Sequence, residues 1–407
     1  MNTLFLTLLY HPHDAEATAR LSRDGLQNQI NTYQWAFVDG LRQNLQAGET
    51  LQIVNALPVG VFPLRYRRLW LGGKTREGGA FCELASLNLP WCKQRMRARA
   101  AYRAMRRWAL ASPDNRNILV YSLYLPYMQA VRRLKRAFPD VKATVIVTDL
   151  PNELGIASGR RGLLKALEYR MGAKRTALCS AFDSFVLLTA PMAEALPIQG
   201  KARMVLEGLV SENPLLPQAD ETLPNDPRPA VLYTGTLNRE LGIDILLEAF
   251  AAMPAVALWL CGRGDMQREV AQAAQQHPNI RYFGQVPQQT ALAMQARVAA
   301  LINPRTAQGA FTRYSFPSKT LEYMRSGKPV LCCKLEGIPA EYDPYLTYIE
   351  PQTAAGIRAA VEALLARPEA ERAAMGERAR DFVLREKNAR AQCGRLTVFL
   401  RGLHGGS

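Results

Sequence analysis

The stretch NPRTAQGAFTRYSFPSKTLEYMRSGKPVL, Asn303 to Leu331, reads as strand end, loop, helix, stop and strand. The apolar run Val298–Ile302 just before it predicts a short buried parallel strand. Asn303-Pro304 breaks that strand. A polar loop follows, and Pro317 opens a helix whose stop is marked by Gly327 and Pro329. Ser318, Lys319 and Glu322 fall near the start of this helix on one face. Free backbone N–H groups and the helix dipole attract an anion at such a start. Lys319 adds a point charge, and Glu322, about one turn further on, can accept two hydroxyl hydrogen bonds. A diphosphate joined to a sugar diol suits that arrangement, and a nucleotide sugar carries both groups.

These residues resemble the donor-site motif of GT-B glycosyltransferases, above all the bacterial family-4 type. That family has a Glu followed eight residues later by a second Glu around such a helix start, then a small-Gly-x-Pro-Val-hydrophobic strand. Glu322 matches the second Glu and Ser326–Leu331 matches the strand; Tyr314 stands in place of the first Glu. The FPSK and EYM pieces, Phe316–Lys319 and Glu322–Met324, are similar to those of a polysaccharide-assembly subgroup. The resemblance implies two Rossmann-like doubly wound domains facing a cleft. It also implies transfer with retention of configuration, no metal requirement and no cofactor beyond the nucleotide diphosphate sugar as co-substrate.

The bulk properties fit two or three domains. The chain has 407 residues, 48% of them hydrophobic, so it folds around cores. No apolar run approaches the roughly 18 residues of a membrane span. The opening MNTLFLTLLYHPHD lacks a basic flank and a small-residue cleavage site, and reads as a first buried strand. Seven cysteines (Cys82, Cys92, Cys179, Cys261, Cys332, Cys333 and Cys393) show no metal spacing and read as reduced, cytosolic core residues. The net charge of +16 is uneven: residues 1–215 hold 29 Lys and Arg against 16 Asp and Glu, the remainder 22 against 19. The first half therefore expects an anionic partner, a membrane surface or nucleic acid.

Ser211–Ala230, rich in Pro, Asp, Glu and Asn and without period, reads as an interdomain linker. Beyond it, apolar strands at Ala230–Tyr233, Val256–Cys261, Ile280–Phe283, Val298–Ile302 and Val330–Cys333 alternate with helical stretches. Before it, strands are expected at Leu4–Leu9, Leu51–Val54, Ile118–Tyr121, Ala143–Val147, Phe185–Leu188 and Met204–Leu206. This alternation implies parallel sheets covered by helices. The expected division is an acceptor-binding domain over 1–210, a linker over 211–229 and a donor-binding domain over 230–380. A C-terminal helical tail over 381–407 is expected to cross back to the first domain. Ligands in such folds bind at the carboxyl ends of the strands.

Three turns of the second domain fit a donor site. Gly235 and Thr236 follow its first strand, in a turn that permits close approach of backbone to an anion. Where the family has Arg and Lys around this turn, the chain has Thr236 and Leu241; Arg239 in the same loop can replace the charge. Gly262 and Gly264 follow the second strand. Gly284, Gln285 and Val286 follow the third, where the family holds the nucleobase with backbone. Each of these is also an ordinary strand-to-helix turn when taken alone. Tyr314 is expected to face the transferred sugar.

In the first domain, Asp149 at a strand end can orient or deprotonate an acceptor hydroxyl, or make an Asx turn before Leu150-Pro151. Gln27, Asn28 and Asn31, after Asp24, can hydrogen-bond sugar hydroxyls, although amide-rich helix starts also occur without ligands. His11 and His13 flank Pro12, which argues against a metal pair; His11 can instead reach the acceptor. Lys93–Arg107 holds seven basic residues and no acid, with Ala98, Ala101, Tyr102, Met105 and Trp108 as an apolar stripe. It reads either as a helix on anionic lipid or as a packed helix with a solvated basic face. No interleaved aromatic pattern or known motif favours nucleic acid.

The expected protein is a cytoplasmic enzyme, peripheral at the inner face of a cell membrane. It would transfer a sugar from a nucleotide diphosphate sugar to a hydroxyl of a lipid-linked glycan. Lys319, Arg239 and the helix start would neutralise the leaving diphosphate. A nucleotide-sugar epimerase on the same scaffold and a non-catalytic binder of sugar nucleotides or nucleic acid are the alternatives.

Overall fold

The computed structural model describes residues 1–405 except 24, 113, 152–162, 211–222 and 224. The chain forms two compact units, Met1–Glu207 with Ala389–Ser407, and Gly208–Asn388. Both are doubly wound α/β units of the Rossmann type.

In the first unit the strands are β1 (Asn2–Thr7), β2 (Thr50–Asn55), β3 (Trp70–Leu71), β4 (Thr75–Arg76), β5 (Phe81–Glu83) and β6 (Ser86–Leu87). They continue with β7 (Arg116–Tyr121), β8 (Lys142–Val147), β9 (Ser184–Leu187) and β10 (Ala202–Val205). The main sheet runs β10-β9-β8-β7-β1-β2-β5-β4 and is parallel except for β4 against β5. Its strands read as continuous apolar runs because both faces are covered. Leu4, Phe5, Leu6, Ile118, Leu119, Val120, Val145 and Ile146 are all fully buried. The helices are α1 (Pro12–Leu21), α2 (Asn28–Gln43), α3 (Cys92–Ala111), α4 (Leu125–Ala137) and α5 (Leu163–Leu178). The strands β3 to β6 were not expected; two or three residues are too short to show a period of two.

The basic residues of α3 are not all on its exposed face. Lys93 and Arg97 are buried, at 5% and 3% exposure. Lys93 Nζ donates to the carbonyl of Val59, and Arg97 Nη2 donates to that of Leu57 at 2.5 Å. Burial, with Arg97 beside it, lowers the Lys93 pKa to about 7. Ala101, Met105 and Trp108 are buried as expected, but Ala98 and Tyr102 are only half-buried. The solvated basic face is Arg95, Arg99, Arg103, Arg106 and Arg107.

The tail expected over 381–407 is not one helix: Glu369–Glu386 and Ala389–Gly402 are separated at Lys387-Asn388. The second lies on α2, close enough that a Cβ at Gly40 would come within 2.3 Å of the Ala389 carbonyl oxygen. Arg401 on this helix donates to both oxygens of Glu49, at 2.9 and 2.7 Å. That guanidinium is the main reason the Glu49 carboxyl is drawn down to about 2, helped by the Gln46 N–H and the amino terminus. A folded value below the unfolded 4.5 means the stabilisation is present above about pH 4.5 and is lost as pH falls toward about 2. Arg401→Ala is therefore expected to lower stability at neutral pH by about 1–3 kcal/mol. The variant should also lose less between about pH 5 and about pH 2 than the parent does, as urea titrations across that range would show.

In the second unit the strands are β11 (Ala230–Thr234), β12 (Ala257–Cys261), β13 (Ile280–Tyr282), β14 (Ala300–Asn303), β15 (Val330–Cys332) and β16 (Thr347–Tyr348). They are all parallel, in the order β13-β12-β11-β14-β15-β16. The strand order reverses between β11 and β14, so the crevice beyond those two strand ends is the expected ligand position. The helices are α6 (Ile243–Ala251), α7 (Gln267–Gln276), α8 (Gln288–Arg297), α9 (Ala310–Arg313), α10 (Ser318–Arg325), α11 (Ala354–Leu365) and α12 (Glu369–Glu386). Most of the expected linker lies outside the described residues. Its end is docked on this unit: Asp226 pairs with Arg228 and Arg281, which hold its carboxyl well below the usual carboxylate range.

Candidate functional site

Backbone hydrogen bonds tie together the turns after three strands of the second unit. Gly235 N–H donates to the Cys261 carbonyl at 2.9 Å, and Leu237 N–H to that of Arg263 at 3.0 Å. Gly262 N–H donates to the Gly284 carbonyl at 2.8 Å. The turns after β11, β12 and β13 therefore form one continuous surface. Gly262 is required there. Its φ is 138°, and a Cβ would sit 1.7 Å from the Gly235 carbonyl oxygen. The loop after β11 also meets the loop after β14: Gly242 has φ 79°, and a Cβ on it would lie 2.3 Å from the Pro304 carbonyl oxygen.

Ser318 is the first residue of α10, and Pro317 is its N-cap. Tyr323 on the buried face of this helix accepts the Thr234 N–H at 2.8 Å and donates to the Thr234 carbonyl at 3.0 Å. This bond fixes the helix start beside the end of β11. Lys319 Nζ lies 2.7 Å from Glu322 Oε2, with the two side chains 35% and 41% exposed. An exposed pair of this kind is worth about 0–1 kcal/mol, so an incoming anion opens it at little cost. Gln295, buried on α8, donates to Glu322 Oε1 at 3.2 Å and orients the carboxylate.

The other residues of the expected donor site take these places. Thr236 and Gln285 are exposed, while Val286 packs on the core. Gly264 sits where a Cβ would meet the Leu237 carbonyl oxygen at 2.2 Å. Arg239 is exposed and pairs with Asp244 at 3.0 Å. Tyr314 is half-buried, with the Arg313 guanidinium 5.7 Å from its ring centre.

The first unit brings fewer of its expected residues to an open surface. Asp149 is exposed just past β8 and accepts a hydrogen bond from Thr148 Oγ1 at 3.0 Å. Gln27 is exposed at the N-cap of α2. The Asn28 side chain, Asp24 and Glu153 lie outside the described residues. Asn31 Oδ1 accepts the Tyr10 N–H at 2.7 Å, which commits this oxygen to bracing the loop after β1. His11 is 5% exposed, with its ring edge-on to Phe81 at 4.9 Å and stacked with His13 at 5.3 Å. Burial first, and Arg76 second, lower its pKa, so it is neutral at pH 7. Its place is packing under the loop and not an open acceptor surface.

Three residues of the second unit escaped the sequence reading. Gln295 and Tyr323 look like ordinary helix residues until the strand order is known. Arg305 carried a signal: a basic residue two places past the strand-ending Asn303. It is 8% exposed and donates to the Ser315 hydroxyl, tying the loop after β14 together.

The fold is the doubly wound pair of Rossmann-like units found in GT-B glycosyltransferases. Residues 228–367 match the family model for glycosyl transferases group 1. No curated protein sequence matches this chain. Among solved structures, sucrose-phosphate synthase from Thermosynechococcus elongatus is similar over 100% of both chains, with 17% identity and a TM-score of 0.62. An E. coli structure described as trehalose-6-phosphate bound with UDP-2-fluoro glucose is similar over 98% of this chain and 99% of its own, at 10% identity and TM-score 0.60. An alpha,alpha-trehalose-phosphate synthase (UDP-forming) from Burkholderia xenovorans, in complex with glucose-6-phosphate, covers the same shares at 11% identity and TM-score 0.58. At these identities the likeness is one of fold.

Proposed function

We propose that this protein is a metal-independent, retaining glycosyltransferase. It transfers a sugar from a nucleotide diphosphate sugar to a hydroxyl of a lipid-linked glycan in bacterial surface polysaccharide assembly, working at the inner face of the membrane. The observation that carries this reading is the placement of Ser318 and Lys319 on the first turn of α10 and of Glu322 one turn further on, pinned through Tyr323 to the end of β11. The family match over residues 228–367 supports it. So do the motif pieces shared with the polysaccharide-assembly subgroup.

On this reading the diphosphate lies against the free N–H groups at the start of α10 and the glycine turns after β11 and β12. Lys319 leaves its pair with Glu322 and meets the phosphate charge as it grows on the leaving group. This charge stabilisation is the largest contribution to catalysis that the site can make. Glu322, still oriented by Gln295, accepts from the ribose hydroxyls. Arg239 is exposed and can leave Asp244 for the phosphate. Asp149, exposed just past β8, orients the acceptor hydroxyl.

A thermal-shift panel of UDP, GDP, ADP, CMP and their sugars tests the donor half. One nucleoside diphosphate and its sugar should raise the melting temperature, by an amount equivalent to about 2.7 kcal/mol at a hundredfold excess over Kd. The reading fails if none of them does. For the acceptor half, Asp149→Asn should reduce transfer while leaving the nucleotide shift in place, since the side chain keeps its shape. Wild-type transfer in that variant would make Asp149 a turn residue only.

A further inference from the structure

Residues 57–91 of the first unit hold four of the eight exposed large apolar side chains among the described residues. Leu57, Val59, Tyr66 and Leu71 turn inward with Tyr10 and form a small core of their own. Leu64, Leu69, Trp70 and Trp91 turn outward, at 72%, 42%, 56% and 70% exposure. Backbone pairing holds these four in one region. Trp70 lies opposite Leu87 in the β3–β6 ladder. Asn88 N–H donates to the Leu69 carbonyl at 2.7 Å, and its side-chain amide to that of Arg68 at 3.1 Å. Phe62 N–H donates to the Asn88 carbonyl at 3.0 Å, which ties in the turn bearing Leu64. Trp91, three residues past Asn88, is the N-cap of α3 with φ 64°. A bulky residue takes that conformation only where its surroundings impose it, and here it leaves the indole outside.

The charges next in sequence to these side chains have one sign. Arg65, Arg67 and Arg68 are exposed between Leu64 and Leu69, and Arg95 and Arg99 continue on the exposed face of α3. There is no Asp or Glu in residues 57–76, and none in residues 84–113. We propose that this face docks on an anionic lipid bilayer, with Trp70, Trp91, Leu64 and Leu69 at the headgroup level and the arginines on the lipid phosphates. Indole rings favour that boundary, and arginine beside them adds electrostatic attraction. A second copy of the chain does not fit the face, because it would bring two sets of arginines together. Leucines have no partner on a nucleic acid backbone. No helix among the described residues is long and apolar enough to cross a membrane; exposed indoles and leucines beside arginines suit an interfacial attachment. The inference gives the lipid-linked acceptor a surface and rests on that reading for its purpose, not for its measurement.

The test is co-sedimentation of the full chain with vesicles of phosphatidylcholine, with and without phosphatidylglycerol. Binding should require the anionic lipid and weaken with salt. Trp70→Ala with Trp91→Ala should lower partitioning on the order of tenfold. Arg67→Glu, Arg68→Glu and Arg95→Glu together should lower it by about fivefold or more per residue. Far-UV circular dichroism and a cooperative thermal transition, measured on each variant, show that it is folded. Equal binding by the tryptophan variant, no binding of the parent at low salt, or equal affinity for duplex DNA would each overturn the proposal. Retained vesicle binding without any nucleotide shift in the parent would sink the donor-site reading and leave this one standing.

Discussion

Gly262→Ala is expected to destabilise the second unit by about 3–5 kcal/mol and to abolish nucleotide-sugar binding, since the new methyl has nowhere to go. Its Cβ would fall 1.7 Å from the Gly235 carbonyl oxygen, at a φ of 138° that an L side chain rarely takes. Relief by local movement would break the bond from Gly262 N–H to Gly284 and the one from the Tyr282 hydroxyl to the Gly262 carbonyl. Those two bonds hold the second and third turns in register. For a unit of this size the loss corresponds to a melting point lower by roughly 10 °C. Gly284→Ala is the control. Its φ is 68° but nothing lies within 4 Å of a Cβ there, so only about 1 kcal/mol of backbone strain is expected. Urea unfolding and nucleotide titration of the two variants decide the matter. If Gly262→Ala matches Gly284→Ala in both, the close approach of the turns has no consequence for the site.

The second large effect is at Lys319 and Glu322. Removing the Glu322 carboxylate should weaken nucleotide-sugar binding by about 1.5–3 kcal/mol, the range for hydrogen bonds to a charged group. Folding should change little, because the Lys319–Glu322 pair is exposed enough to contribute at most about 1 kcal/mol. Lys319→Ala should act mainly on turnover, by about a hundredfold or more, since its charge is needed most when the leaving phosphate develops. The same variant relieves Glu322 of its ion-pair partner, so its effect on ground-state affinity is smaller than that of Glu322→Ala. Calorimetry and single-turnover kinetics separate the two roles. Unchanged donor affinity in Glu322→Ala and unchanged turnover in Lys319→Ala would remove this helix start from the mechanism.

Much of the second unit was legible. Five apolar runs, three of them stopped directly by Gly or Asn, correspond to β11 through β15 with shifts of one or two residues at their ends. The helix expected after Pro317 is α10, stopped where Gly327 takes φ 76°. The less legible parts share a cause. The basic run Lys93–Arg107 spreads its charges round the helix, so composition does not say which arginine turns inward. Arg97 is inside because the Leu57 carbonyl and the Tyr124 hydroxyl are there to receive it. Asn31 resembled a sugar ligand because a side-chain amide offers the same atoms to a hydroxyl as to the backbone of Tyr10.

The sequence by itself determined the repeated strand-and-helix alternation, the polar stretch from Ser211 and the helix start bearing Ser318, Lys319 and Glu322. Those features depend on apolar period and on Gly, Pro and Asn chemistry among residues a few places apart. Only the tertiary structure decided that β14 lies beside β11, that Tyr323 pins the helix to Thr234, and that Gly262 must pass against Gly235. It also decided that His11 is covered while Trp70 and Trp91 are not. Each of these joins residues brought together by strand order or by packing, and local periodicity carries no record of which distant segment will be the neighbour.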